Sequence, residues 1–283
     1  MAGTLYVVGT PIGNLGDFSP RAVEILSTVD FIAAEDTRVT IKLLNHFGIK
    51  KPMISYFEHN RTERGQTIIQ RLLGGESCAL VSDAGMPIIS DPGEDLTALC
   101  HENNITVAAV PGPCAFVTAL AISGMPSGRF TFEGFLTRTK QNRREHLEEL
   151  VNEKRTMIFY EAPHKLPATL QDMAKYFGDR RIALVKEITK IHENVERTTL
   201  FEAAKKYSEE SPKGEYVLII EGVSIEQKEA EAQREFENLT VTEHVNMLIS
   251  GGMDKKEAIK KAASERGISK REVYNEFVKE ETE

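Results

Sequence analysis

Three polar clusters in the first third of the chain each follow a short apolar run: Glu35-Asp36-Thr37-Arg38 after Phe31–Ala34, Glu58-His59-Asn60 after Met53–Phe57, and Ser82-Asp83-Ala84-Gly85 after Cys78–Val81. Runs this short and apolar are sized for strands buried on both faces of a parallel sheet. Their polar ends then share the carboxyl edge, where open α/β sheets bind ligands. One such cluster is more often a helix cap or a surface ion pair; three on one edge mark a site. Several chemistries lack the residues they need. Gly9-x-x-x-Gly13-x-x-Gly16 is neither the dinucleotide fingerprint nor a P-loop, and no Gly-x-Ser-x-Gly elbow surrounds Ser82. The seven histidines have no metal-ligand spacing. Hydride transfer on the usual template, acyl transfer and zinc hydrolysis are disfavoured, and no metal is expected.

Glycine and proline shape the turns beside these clusters. Asp83 is the lone acid at the end of its strand, Pro87 forces an extended turn, and Asp91, Pro92 and Glu94 have the order of a cap, a first helical residue and a capping box. A second loop of the same kind, Pro111-Gly112-Pro113-Cys114-Ala115-Phe116, follows the apolar run Ile105–Val110. Two such loops after two buried strands point to one crevice in which backbone comes close to a ligand.

Positioning these loops takes a particular architecture. Strands at Leu5–Gly9, Phe31–Ala34, Met53–Phe57, Cys78–Val81 and Ile105–Val110 alternate with helices at Arg21–Ser27, Val39–His46 and Glu63–Leu73, which predicts a doubly wound parallel sheet. The small-residue break Gly124–Gly128 marks a boundary between an α/β domain at 1–124 and a second at 125–224. The second contains an edge or hairpin strand at Arg129–Phe135, a helix at Arg143–Glu153 and strands at Thr156–Tyr160, Ile182–Ile188 and Tyr216–Glu221. Residues 225–283 read as an acidic linker followed by a helical tail, in which Thr240-x-x-Glu243 and Ser269-x-x-Glu272 are capping boxes.

The chain has 283 residues and a net charge of −8, which on average does not favour a polyanion partner, so the placement of cations matters more than the sum. Arg138, Lys140, Arg143 and Arg144 form a patch without an acid, and Lys255, Lys260, Lys270 and Arg271 fall on helix–turn–helix spacing in the tail. Ile105–Gly128 carries no charge; its prolines cut it below a membrane span, and it leaves a homodimer face possible. Three cysteines without a Cys-x-x-Cys, and no secretory signal, point to the cytoplasm.

Six ordered segments carry a resemblance: Leu5-Tyr-Val-Val-Gly-Thr-Pro-Ile-Gly-Asn-Leu15, Ala34-Glu-Asp-Thr-Arg38, Val81-Ser-Asp-Ala-Gly85, Ser90-Asp-Pro-Gly93, Val110-Pro-Gly-Pro113 and Tyr160-Glu-Ala-Pro-His164. They resemble the tetrapyrrole-methylase superfamily of class III methyltransferases and, within it, the branch of bacterial 16S rRNA (cytidine-2′-O)-methyltransferases. The similarity runs from Leu5 into the basic tail. It implies two α/β domains with a helical C-terminal appendage and S-adenosylmethionine (SAM) folded between the two domains. The substrate it implies is the ribose 2′-hydroxyl of cytidine 1402 of 16S rRNA, in the small ribosomal subunit. The cofactor-lining positions of that family fall here on Pro11, Asp83, Gly85, Met86, Ile88, Cys114, Ala115, Tyr160 and Glu161. One departure is Arg197-Thr198-Thr199, where the family usually has glycine at the centre. A ribose hydroxyl is a poor nucleophile until deprotonated, so a general base is expected, with Glu35, Asp36, His59 and Glu161 as candidates. Arg38 and Asn60 suit phosphate or ribose, and the two basic clusters suit RNA docking. A corrin C-methyltransferase and a non-catalytic ribosome-assembly factor that binds RNA are the alternatives.

Overall fold

Alternate residues of the central apolar strands face opposite layers of helix, and this sets the architecture of the N-terminal half. In the computed structural model, which describes residues 1–90, 93–137, 139–223 and 239–281, strands β1 (Thr4–Val8), β2 (Phe31–Ala34), β3 (Met53–Ser55), β4 (Cys78–Val81) and β5 (Thr106–Val110) form a sheet ordered β3-β2-β4-β1-β5. Every pairing in it is parallel. Phe31 and Ala33 pack with Ile68, Leu72 and Leu96 from helices α3 (Arg61–Leu73) and α4 (Glu94–Glu102). Ile32 and Ala34 pack with Ala22, Leu26 and Leu44 from α1 (Pro20–Thr28) and α2 (Thr37–His46) on the other face. The doubly wound sheet read from the sequence is present. Ser19 caps α1 by accepting from Ala22 N–H, with Pro20 at the first helical position, as its sequence predicts.

Helix α5 (Ala115–Ser123) packs instead on a second sheet, where Ala119 and Leu120 meet Ile158, Ala183, Val185 and Ile219. That sheet consists of β6 (Phe130–Phe135), β7 (Thr156–Glu161), β8 (Arg181–Lys186), β9 (Asn194–Thr199) and β10 (Tyr216–Ile220), ordered β6-β7-β10-β8-β9. Only β6 and β7 run parallel. Helices α6 (Lys140–Leu150), α7 (Leu166–Phe177) and α8 (Leu200–Glu209) cover its far face through Leu147, Leu170, Met173 and Ala203.

Two local expectations change. Helix α4 begins at Glu94 behind Gly93, whose φ of +149° is glycine territory, so Glu94 opens the helix rather than closing a capping box. Asp91 and Pro92, expected to start it, lie outside the described residues, as do Arg138 and the acidic stretch 226–237. The edge strand β9 was not foreseen: its sequence, Asn-Val-Glu-Arg-Thr-Thr, is too polar to stand out as a strand.

Residues Met1–Glu221 form one compact unit and Gly222–Glu283 a second. Within the second, α9 (Val241–Ser250), α10 (Lys255–Arg266) and α11 (Lys270–Glu281) enclose a core of Val245, Ile259, Ala262, Val273 and Phe277. Both capping boxes form: Glu243 N–H donates to Thr240 Oγ1 at 3.1 Å and Thr240 N–H to Glu243 Oε2 at 2.7 Å, with 3.2 and 2.8 Å for the Ser269–Glu272 pair. Among the described residues no helix is long and apolar enough to cross a membrane.

Candidate active site

Backbone contacts that only glycine permits join the turns after β1, β4 and β5. Thr10 and Gly85 exchange hydrogen bonds, Thr10 N–H to Gly85 O at 2.8 Å and Gly85 N–H to Thr10 O at 3.1 Å. Gly85 does this at φ +85°, and a Cβ on it would stand 3.3 Å from Ile12 Cγ2. Gly9 and Gly112 approach so closely that a Cβ on either would lie 2.7 Å from the other's Cα. Facing this wall are the end of β7, the turn after β8 and the start of β10. Between them lies a cavity of about 340 Å³, within the first unit, in the size range of small-ligand sites.

Of the residues singled out from sequence, Glu35, Asp83, Gly85, Met86, Cys114, Ala115, Tyr160 and Glu161 line the cavity. Pro11 and Ile88 do not; their neighbours Ile12 and Ile89 do. Ile88 sits at φ +81°, unusual for a β-branched residue, and packs against the core beside Leu80 and Leu96, which leaves Ile89 to face the cavity. Asp83 and Glu35 are interlocked: Asp83 N–H donates to Glu35 Oε2 at 3.3 Å, and Asp36 N–H donates to Asp83 Oδ1 at 3.1 Å. Burial, and secondarily neighbouring carboxylates, raises both above the ordinary carboxylate range.

The other candidates stand elsewhere. Asp36 caps α2 by accepting from Arg38 N–H at 2.8 Å and grips the Arg38 guanidinium at 2.6 Å; those bonds lower its pKa to about 2, which makes it a feeble base. His59 is exposed, edge-on to Phe57, and does not line the cavity. Asn60 accepts from Phe57 N–H at 2.9 Å and donates to Ser55 O at 3.1 Å, so its side chain shapes the turn after β3. Arg143 is not free for RNA: its guanidinium donates to Asp172 at 2.6 Å and Thr169 at 2.9 Å, with the side chain only 16% exposed. Arg144 pairs with Glu148 at 2.7 Å on the surface, and Lys140 is exposed. In the tail Lys260, Lys270 and Arg271 are exposed, and the Lys255 ammonium lies over the Phe277 ring.

Comparison with known proteins decides the family. The profile of Tetrapyrrole (Corrin/Porphyrin) Methylases matches residues 4–204. The chain belongs to the tetrapyrrole methylase family. It is 46% identical over 273 residues to a Synechocystis protein named Ribosomal RNA small subunit methyltransferase I, covering 96% of each chain. A protein of the same name from Halalkalibacterium halodurans is 47% identical over 278 residues, covering 98% of this chain and 96% of that one. Among solved structures, a cobalt precorrin-4 methyltransferase of cobalamin biosynthesis superposes with a TM-score of 0.58 at 17% identity, over 77% of this chain and 94% of that one. Uroporphyrin-III C-methyltransferase from Thermus thermophilus, complexed with S-adenosyl homocysteine, gives 0.54 at 14%, over 77% and 97%. At these identities the likeness is one of fold.

A tetrapyrrole methylase uses S-adenosylmethionine, and the cavity suits it. Gly85 brings backbone without a Cβ to the cavity, Ile12, Met86, Val185 and Val217 are apolar, and the Glu35 and Asp83 carboxylates suit positive charge. The family pattern carried by sequence found Tyr160 and Glu161 of the far wall but missed the turn after β8 and the start of β10. Lys190 bridges Glu187 at 3.0 Å and Glu215 at 2.8 Å, and its stem crosses Gly13 of the turn after β1. Glu187 and Thr189 take φ of +51° and +66° there, strain of the kind that collects at sites. The signal was available, because Glu187–Lys190 follows the apolar run of β8 just as Ser82-Asp83 follows β4. The departure at Thr198 has a plain basis: it lies in extended β9 opposite Ile182, where no positive φ is required. Its neighbour Arg197 caps the α5 carbonyls of Ile122 and Ser123 at 2.7 Å each. Among the described residues no group of three or more His, Cys, Asp or Glu could hold a metal ion.

Proposed function

We propose that this protein methylates the ribose 2′-hydroxyl of cytidine 1402 in 16S rRNA, acting in the cytoplasm on the small ribosomal subunit. One observation carries the substrate: identity of 46–47% over almost the whole length of relatives named for methylation of small-subunit rRNA. When bound, the cofactor supplies an electrophilic methyl group on a sulfonium. Asp83, Gly85, Met86, Cys114, Ala115, Tyr160 and Glu161 would hold it, with Ile12 and Ile89 in the places first given to Pro11 and Ile88. Aligning hydroxyl and methyl in one cavity is worth up to about 7–11 kcal/mol, so positioning alone supplies much of the rate.

Glu35 is the base of this proposal. It lines the cavity, and burial beside Asp83 raises its proton affinity toward that of a useful acceptor at neutral pH. Asp36 is held ionised by Arg38, and His59 lies off the cavity. Both Glu161 oxygens already accept hydrogen bonds, from Ala162 N–H and Thr169. The exposed cations Lys260, Lys270 and Arg271 of the tail, with Lys140 and Arg144, dock the RNA backbone. Incubating small subunits with the protein and methyl-labelled SAM, then digesting the rRNA to nucleosides, tests the reading. Label in 2′-O-methylcytidine supports it; label only in a base-methylated nucleoside, or none, refutes it.

A further inference from the structure

The Arg143 guanidinium acts on the cavity wall through a relay. Its Nη2 donates to Thr169 Oγ1 at 2.9 Å while its Nε holds Asp172 at 2.6 Å. Thr169, buried in α7, donates in turn to Glu161 Oε2 at 2.5 Å, and Ala162 N–H donates to Glu161 Oε1 at 2.9 Å. A guanidinium has only donors, and a hydroxyl has a single proton. With Arg143 occupying a lone pair of Thr169, the threonine proton is directed at Glu161. One fixed donor therefore holds each oxygen of a carboxylate that is 3% exposed and lines the cavity. Each oxygen keeps a second lone pair for a ligand.

We propose that Arg143 and Thr169 are positioning residues for the cofactor: they hold the Glu161 carboxylate as acceptor for an N–H or O–H donor of bound SAM. The inference rests on reading the cavity as the SAM pocket, which binding by the wild type tests separately. It also explains why a cation expected to touch RNA is turned inward between α6 and α7.

Calorimetric titration of SAM into full-length variants is the test. Thr169→Val weakens SAM binding about tenfold, as expected for losing a hydrogen bond to a charged group. Thr169→Ser, which keeps the hydroxyl, stays within about threefold of wild type. Arg143→Met weakens binding in the same direction, and the Thr169→Val/Arg143→Met double variant is no weaker than Thr169→Val, because both cut one relay. The KM for small subunits stays within about twofold throughout, since no phosphate contact is lost. Wild-type affinity in Thr169→Val overturns the proposal, and so does a serine variant as weak as the valine one, which would make the role mere packing. If Thr169→Val does not fold, Arg143→Met decides. Unchanged SAM affinity with a raised KM for subunits and a flatter salt dependence would make Arg143 an RNA contact. A wild type that binds no SAM refutes the reading of the cavity itself.

Discussion

Glu35 and Asp36 are adjacent in sequence and opposite in electrostatics. Burial raises the Glu35 pKa, while hydrogen bonds from Arg38 hold Asp36 near 2. For Glu35→Gln, single-turnover methylation at saturating SAM should fall about 10²–10⁴-fold. The wild-type rate should rise with pH along a limb displaced above the ordinary carboxylate range. Stability moves the other way. A carboxyl whose folded pKa is raised contributes most below its unfolded pKa and loses that contribution as pH rises through the folded value, so Glu35→Gln should melt higher than wild type at pH 7, with the gain vanishing as pH falls below the unfolded carboxylate pKa. Asp36 has the reverse sign: its depressed pKa stabilises the fold above the unfolded value and is lost as pH falls toward 2. Asp36→Ala should therefore melt lower at neutral pH, by a margin that narrows as pH falls toward 2. Sequence made these carboxylates legible as strand-end acids but could not rank them, since the Arg38 grip and the Asp83 interlock are matters of side-chain geometry.

At the scale of elements, the site depends on how closely the turn after β1 lies against the turn after β5. Gly9→Ala would place a methyl 2.7 Å from Gly112 Cα and 2.7 Å from Met86 Sδ. Overpacking of this kind costs about 1–3 kcal/mol, so the variant should unfold at lower urea and bind SAM at least tenfold more weakly (roughly). A variant with wild-type stability and affinity would mean the turns part without cost. The parallel sheet was legible because its strands are uninterrupted apolar runs, and the helix caps because Pro20 follows Ser19 and a glutamate stands three residues after Thr240 and after Ser269. Other parts were less so. Strand β9 is polar and pairs only at an edge, the turn after β8 holds Glu187 and Thr189 at positive φ, and a positive φ at Ile88 reverses which of two adjacent isoleucines meets the cavity.

For the whole molecule, the proposed function divides recognition between the unit that holds the cavity and the three-helix tail, whose Lys260, Lys270 and Arg271 are exposed. Reversing the charges of Lys260, Lys270 and Arg271 should raise the KM for small subunits and reduce the magnitude of the salt slope by about 2, with SAM affinity intact. An unaltered salt response would make these lysines and arginine a solvated face. The central claim, that turns from separate strands build one SAM-binding cavity with Asp83 in its wall, has a direct test in calorimetric titration of SAM into the wild type and Asp83→Ala. The account predicts saturable one-site binding, weakened about tenfold in Asp83→Ala with no loss of thermal stability. Equal affinity in the two proteins, or no binding by the wild type, would contradict it.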